Sequence, residues 1–262
     1  MTSFIRRALA PSLARTAAIC ALSLGFASTL EAGILTNSAI ALTQQEVANR
    51  LSIVPAFVVG IGENFVTYPV TEAGSDEPEL EVMPVFWNRQ AAEDYIARTR
   101  TQENLPELPP EAIVIGSRLD YLYTLETNSQ TEGERRLELA FIPEPEEVEE
   151  AKVLNAEFDQ GVPLFYPQLE NGSIIAVSQN EGEDIFPLFF SRADVESLLS
   201  ELNEQSEEAR NVVEVGVVPL EFVLRQMVAS EDEALEQFRL FPASDVINDI
   251  QQNSPQGQQN GQ

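Results

Sequence analysis

The chain has no histidine, one cysteine and one lysine in its 262 residues, and each shortage removes chemistry. Without imidazole there is no Ser–His or Cys–His nucleophile pair and no histidine ligation of zinc or haem. The single cysteine, Cys20, leaves no partner for an internal disulfide. Glycine is sparse where phosphate chemistry would need it. Gly60-x-Gly62 lacks a third glycine and sits in a hairpin pattern, so it reads as a turn and not a phosphate cradle. The run Glu146-Glu147-Val148-Glu149-Glu150 lacks calcium-loop spacing and reads as a solvated helix face. Asn171-Gly172-Ser173 matches a glycosylation sequon, yet its place between two apolar runs reads as a second hairpin turn. Carboxylates are plentiful, and none stands out as a general acid or base. The expectation is a non-enzymatic protein with no cofactor and no metal.

Basic residues are as scarce as acidic ones are common, with 15 Lys and Arg against 43 Asp and Glu. Three of the basic residues, Arg6, Arg7 and Arg15, lie ahead of an apolar run from Ala17 to Ala27. Small residues follow at Ala39-Ile40-Ala41, which completes the layout of a secretory signal over residues 1–41. The run is shorter than the roughly 20 residues a membrane span needs, so no integral membrane segment is expected. Ile19 before Cys20 disfavours a lipoprotein site, and the surroundings of Arg6-Arg7 do not complete a twin-arginine pattern. Removal of the signal would leave 12 basic residues against 42 acidic ones. A field of that sign repels phosphate backbones, which excludes nucleic acid as a partner, and it attracts basic surfaces.

The remaining chain repeats itself. Val54-Pro55-Ala56-Phe57 returns as Val162-Pro163-Leu164-Phe165, and Met83-Pro84-Val85-Phe86-Trp87-Asn88-Arg89 as Phe186-Pro187-Leu188-Phe189-Phe190-Ser191-Arg192. Ile113 to Gly116 is echoed by Val213 to Gly216, and Leu139 to Pro143 by Phe238 to Pro242. The offset falls steadily from 108 to 99 residues, the signature of loop deletions between conserved-length elements. Each half reads βββαβαβ. Two hairpin strands and a third, Val85-Phe86-Trp87 or Leu188-Phe189-Phe190, lead to a helix opened by Asn88 or Ser191. Buried stripes then fall at Ala92, Tyr95, Ile96 and Thr99, and at Val195, Leu198, Leu199 and Leu202, in one register. Thr43 with Glu46 forms a capping box for a helix ahead of the first half. Further helices are expected from about Glu146 to Phe158 and from Ser244 to Ile250. Residues 72–81 and 128–134 read as acidic loops, and 251–262 as a disordered Gln-rich tail. The fold class is therefore α+β. It is a pseudo-twofold tandem repeat over residues 42–250, with units at 54–143 and 162–242, each a small mixed or antiparallel sheet packed with helices.

These paired blocks, in this order, resemble the twenty-two-kilodalton Tic family, which comprises the chloroplast inner-envelope import component of the intermembrane space and its cyanobacterial homologues. The resemblance covers about Leu42 to Ile250. It implies a pseudo-symmetric α+β protein of a periplasm or thylakoid lumen, peripheral to a membrane at most. It also implies a chaperone-like or scaffold role in protein transport or outer-membrane protein biogenesis. Client or transit proteins, and barrel-insertion machinery of the Omp85 type, are the implied partners. The leader looks bacterial, which favours a cyanobacterial member.

The aromatic residues beside the prolines are the candidate partner-binding positions: Phe57, Phe86, Trp87, Phe165, Phe189 and Phe190. Strand neighbours point to opposite faces, so Phe86 and Trp87 cannot share one core, nor can Phe189 and Phe190. One of each pair faces either a second packed layer or an open apolar groove. A groove suits extended client chains; the competing reading places a pigment or lipid there, as in a lumenal assembly or small-ligand-binding protein.

Overall fold

The computed structural model describes residues 21–22, 41–71, 80–102, 107–132, 135–178, 184–205, 213–230 and 232–253. The rest of the expected signal, most of the loop before Leu80 and the tail beyond Asn253 lie outside the described residues. After a two-residue strand β1 (Ala21–Leu22), helix α1 (Gln44–Leu51) leads into the first half. That half comprises β2 (Pro55–Ile61), β3 (Asn64–Phe65), β4 (Tyr68–Val70), β5 (Leu80–Phe86), α2 (Arg89–Thr99), β6 (Ile113–Arg118), α3 (Leu119–Glu132), β7 (Arg136–Phe141) and α4 (Pro145–Leu154). The second half repeats the series as β8 (Pro163–Leu169), β9 (Ile174–Ile175), β10 (Val177–Ser178), β11 (Asp184–Phe189), α5 (Arg192–Gln205), β12 (Val213–Pro219), α6 (Leu220–Ala229), β13 (Phe238–Phe241) and α7 (Ser244–Asn253). A 3-10 turn, Glu233–Gln237, precedes β13.

Each half builds the same mixed sheet. β2 pairs antiparallel with β6 and β5, and β5 pairs parallel with β7. β8 pairs antiparallel with β12 and β11, and β11 pairs parallel with β13. The expected second hairpin strand is split in two in both copies. β3 and β9 stay with β2 and β8, whereas β4 and β10 cross to β5 and β11. β1 adds antiparallel to β9, giving sheets of six and seven strands. The hairpin turns hold Gly62 at φ 61° and Gly172 at φ 81°, a region open to glycine at little cost.

Side-chain alternation buries both faces of each sheet. In the first, Phe57, Val59 and Phe86 meet Ala92 and Ile96 of α2, while Ala56, Val58, Met83 and Val85 meet Leu122 of α3. In the second, Phe165 meets Val195 of α5, while Leu164, Phe186 and Leu188 meet Leu220, Val223 and Met227 of α6. α1 seals the middle through Val47, Ala48 and Leu51, in one core with Val54, Trp87, Val162 and Phe190. Its capping box is formed as expected: Glu46 N–H donates to Thr43 Oγ1 (3.3 Å) and Thr43 N–H to Glu46 Oε2 (2.8 Å). Asn88 caps α2 by accepting from Ala91 N–H at 2.7 Å.

Five expectations need correction, beginning with the helix expected to reach Phe158, which ends at Leu154. The segment 128–132 is the end of α3, not a loop; Ser129 Oγ and Glu126 Oε1 accept from Leu137 N–H and Leu139 N–H, so the helix grips the strand that follows it. Leu80 and Glu81 belong to β5, where β4 and β7 pair with them. Gln251 to Asn253 form the last turn of α7. The echo of Gly116 is displaced by one residue: Pro55 stands opposite Arg118 and Pro163 opposite Pro219, so Gly116 corresponds to Val217 and not to Gly216.

Candidate partner-binding site at the junction of the halves

The final helix of each half packs on the other half. α4 follows the first sheet, yet Ala151 joins Phe165 and Val195 of the second. α7 follows the second sheet, yet Val246 joins Phe57, Phe86, Ala92 and Ile96 of the first. A polar contact ties α4 to the second half, and another ties α7 to α5 within its own half. Arg192 N–H, at the start of α5, donates to Glu147 of α4 (3.3 Å), and Ser244 N–H, at the start of α7, donates to Asp194 of α5 (2.9 Å). The Arg192 guanidinium is held between Glu150 of α4 and Glu196 of its own helix.

This arrangement decides where the six aromatic candidates go. Phe57, Phe86, Trp87, Phe165 and Phe190 are buried, and Phe189 is half-buried. As strand geometry requires, Phe86 and Trp87 part company: Phe86 packs on Tyr95 of α2 (5.2 Å), and Trp87 turns to the junction. Phe189 stacks on Phe241 at 5.0 Å, and Phe190 turns the opposite way. Trp87 and Phe190 then meet, ring centroids 4.7 Å apart, with Phe141 5.5 Å from the indole. The six positions are thus not the walls of two open grooves. Helices cover both faces of each sheet because the central strands carry apolar side chains on both sides, and the leftover aromatic of each half is covered by its counterpart.

At the junction there remains a cavity of about 50 Å³, lined by equivalent residues of both halves. Val54, Pro55 and Trp87 face it from one side, and Val162, Pro163 and Phe190 from the other. Pigment and lipid pockets run to several hundred Å³, so this place is too small for either. Its rim is acidic, with Glu144 and Glu147 from the α4 region and Asp245 from α7. Burial pushes the Glu144 and Glu147 carboxyls above their usual range, opposed by hydrogen bonds from Asn88 to the first and from Arg192 N–H and Ser191 to the second. The Trp87 Nε1 atom is buried without a hydrogen-bond partner.

Sequence reasoning found the aromatic residues but missed the carboxylates. The signal was present: the 99-residue offset of β7 and β13 continues unbroken through α4 and α7, so these helices are repeat members and not linkers.

A duplicated α+β protein whose two halves trade their last helices, with no helix among the described residues long and apolar enough to cross a membrane, is the class defined here. More narrowly, the chain belongs to the Tic22-like family, whose model matches residues 3–252. It is similar to the pea (Pisum sativum) protein "Protein TIC 22, chloroplastic", at 26% identity over 197 residues, 74% of this chain and 70% of that one. Its fold is similar to that of "Anabaena Tic22 (protein transport)", with a TM-score of 0.67, 20% identity, and coverage of 80% of this chain and 97% of that one. It is also similar to Tic22 from Plasmodium falciparum, with a TM-score of 0.58, 14% identity, and coverage of 79% and 96%.

Proposed function

We propose that this protein is a non-enzymatic, chaperone-like or scaffold factor that binds polypeptides during transport or outer-membrane protein biogenesis, in a cyanobacterial periplasm or thylakoid lumen. The observation that carries the reading is the family match across nearly the whole chain, together with the likeness to "Anabaena Tic22 (protein transport)". The exported address rests on the signal layout over residues 1–41 and on relatives that include a chloroplast protein.

The described surface supplies a way to do this. Ile53, Ile113, Tyr121, Val153 and Val228 are exposed apolar side chains on a chain of formal net charge −28. Dispersed apolar contacts give weak grip on unfolded segments, and the like-charged surface keeps a loaded complex soluble. In this reading the buried aromatic residues hold the two halves in register, and client contact falls to the outer side chains. The test is suppression of aggregation of an unfolded outer-membrane protein. Changing Ile53, Ile113, Tyr121 and Val153 together to Ser should reduce suppression severalfold while the circular dichroism spectrum is kept. Undiminished suppression by that folded variant, with no transported polypeptide recovered by crosslinking in intact cells, would sink the proposal.

A further inference from the structure

We propose that the outer edge of β9 is a seat for an extended, uncharged apolar segment of another polypeptide, which adds to the second sheet as a further antiparallel strand. The seat is already filled once in this structure. The chain's own Ala21–Leu22 lies antiparallel along β9, with Ala21 opposite Ile175 and Leu22 opposite Ile174. Among the described residues no other strand takes that edge, and without β1 the strand order of the sheet ends at β9.

The edge is left unguarded. Sheet edges are ordinarily blunted by charge, proline or a bulge, because their unpaired N–H and C=O groups recruit other chains. Residues 171–180 carry neither charge nor proline, in a chain with 43 acidic residues and 16 prolines. Ile174 and Ile175 are buried, and Ile174 shares a core with Ala176, Phe186 and Leu188, so a rigid interior holds the receiving strand. The first half provides the contrast. β3 ends its own strand order, and no described strand lies on its outer edge. There Glu63 and Asn64 place a charge and an exposed amide beside the backbone.

The chemistry of the guest follows from the segment now seated. Ala21–Leu22 belongs to the uncharged run from Ala17 to Ala27. Main-chain hydrogen bonds hold an added strand whatever its sequence, and the flanking side chains select among sequences. A charged strand would set an unpaired charge against Ile174 and Ile175, so an apolar one is selected. That run is also part of the expected signal, whose removal would vacate the edge. While attached, it competes with any guest as an intramolecular ligand at an effective concentration on the order of millimolar.

The proposal rests on the transport reading only in taking the guest to be a transported polypeptide. The probe is a fluorescein-labelled peptide of residues 17–27 carrying Cys20→Ser. It is titrated into the full chain and into the full chain carrying Ala21→Pro with Leu22→Pro, which takes the chain's own strand off the edge. The control is the same peptide methylated at the backbone nitrogens of residues 20–23, which keeps its side chains and removes the donors a strand needs. The peptide should bind the proline variant on the order of tenfold more tightly than the native chain, and methylation should abolish most of that affinity. Amide hydrogen exchange should slow over residues 173–175 on peptide addition and stay unchanged at Asn64 and Phe65. In the native chain the same protection should appear only at higher peptide concentration, so this reading stands without the variant. Equal affinity of the two peptides, equal affinity of the two chains, or protection away from β9 would overturn the assignment. So would a dimer of the freed variant protected at β9 without peptide, which would make a second copy of this chain the guest. An edge that takes no strand leaves aggregation suppression by the exposed side chains untouched, and loss of that suppression leaves this titration untouched.

Discussion

The two halves share a topology strand for strand and differ in what fastens them. In both, the first amide of the helix after the fifth strand reaches back to the residue before the first: Leu119 N–H to Val54 O at 2.9 Å, and Leu220 N–H to Val162 O at 2.8 Å. Backbone geometry is therefore copied closely. Side-chain chemistry is not. Arg192 opens α5 tied to two carboxylates, whereas Arg89, its counterpart on α2, lies over the Phe57 ring. The short strand β3 carries an exposed Asn64 and a half-buried Phe65, whereas β9 carries Ile174 and Ile175 in the interior. The incoming helix α4 presents Glu147 to the junction where α7 presents Val246. A fold repeated in tandem can thus keep its hydrogen-bond frame while the two copies take on different surfaces.

Equivalent substitutions in the two halves test how deep the likeness runs. The largest effect should come from Phe86→Ala, which empties a fully buried site and should cost about 3–5 kcal/mol by chemical denaturation. The equivalent Phe189→Ala starts from a half-buried ring and should cost clearly less; equal losses would show that the two α2-side and α5-side layers are packed alike after all. Next, Trp87→Phe makes the junction symmetric, a phenylalanine on each side, and removes the unpartnered indole nitrogen. It should change stability by less than about 1.5 kcal/mol in either direction.

A third expectation concerns pH and the acidic side of the junction. Burial raises the folded-state values of Glu144 and Glu147 above the ordinary 4.5. Between 4.5 and the raised folded values the native chain binds more protons than the unfolded one, so these groups make stability fall as pH rises through that window. Thermal melts taken upward from pH 4.5 should show that fall, and Glu144→Gln with Glu147→Gln should flatten it. A slope unchanged in the double variant would assign the effect to the overall charge of −28 instead. The smallest and most even pair is Gly62→Ala and Gly172→Ala. Both turns have positive φ and open space around the added carbon, so each should lose about 1 kcal/mol.

Much of this was legible beforehand because repetition exposes packing. The stripe on α2 and α5, the capping box at Thr43 and the cap at Asn88 follow from spacing and local hydrogen bonding alone, and all three are present. That both aromatic faces are covered was not legible, because strand alternation says only that Phe86 and Trp87 face opposite ways. Which face meets solvent is set by elements far away in sequence, here α4 and α7. The end of α3 at residues 128–132 was hidden for a related reason: its Thr, Asn, Ser and Gln residues favour turns locally, and their helical state is fixed by the bonds from Ser129 and Glu126 to β7. The one-residue error at Gly116 shows the limit of matching small motifs, since only strand register fixes the true counterpart.

The traded helices carry a consequence for the order of assembly. α7 is the last described element to be synthesised, and its Val246 packs in the interior that Phe57 begins nearly two hundred residues earlier. During synthesis the first layer therefore lacks part of its cover until α7 has been made. The first layer of the sheet is thus sealed by the end of the chain, not only by its own neighbours in sequence.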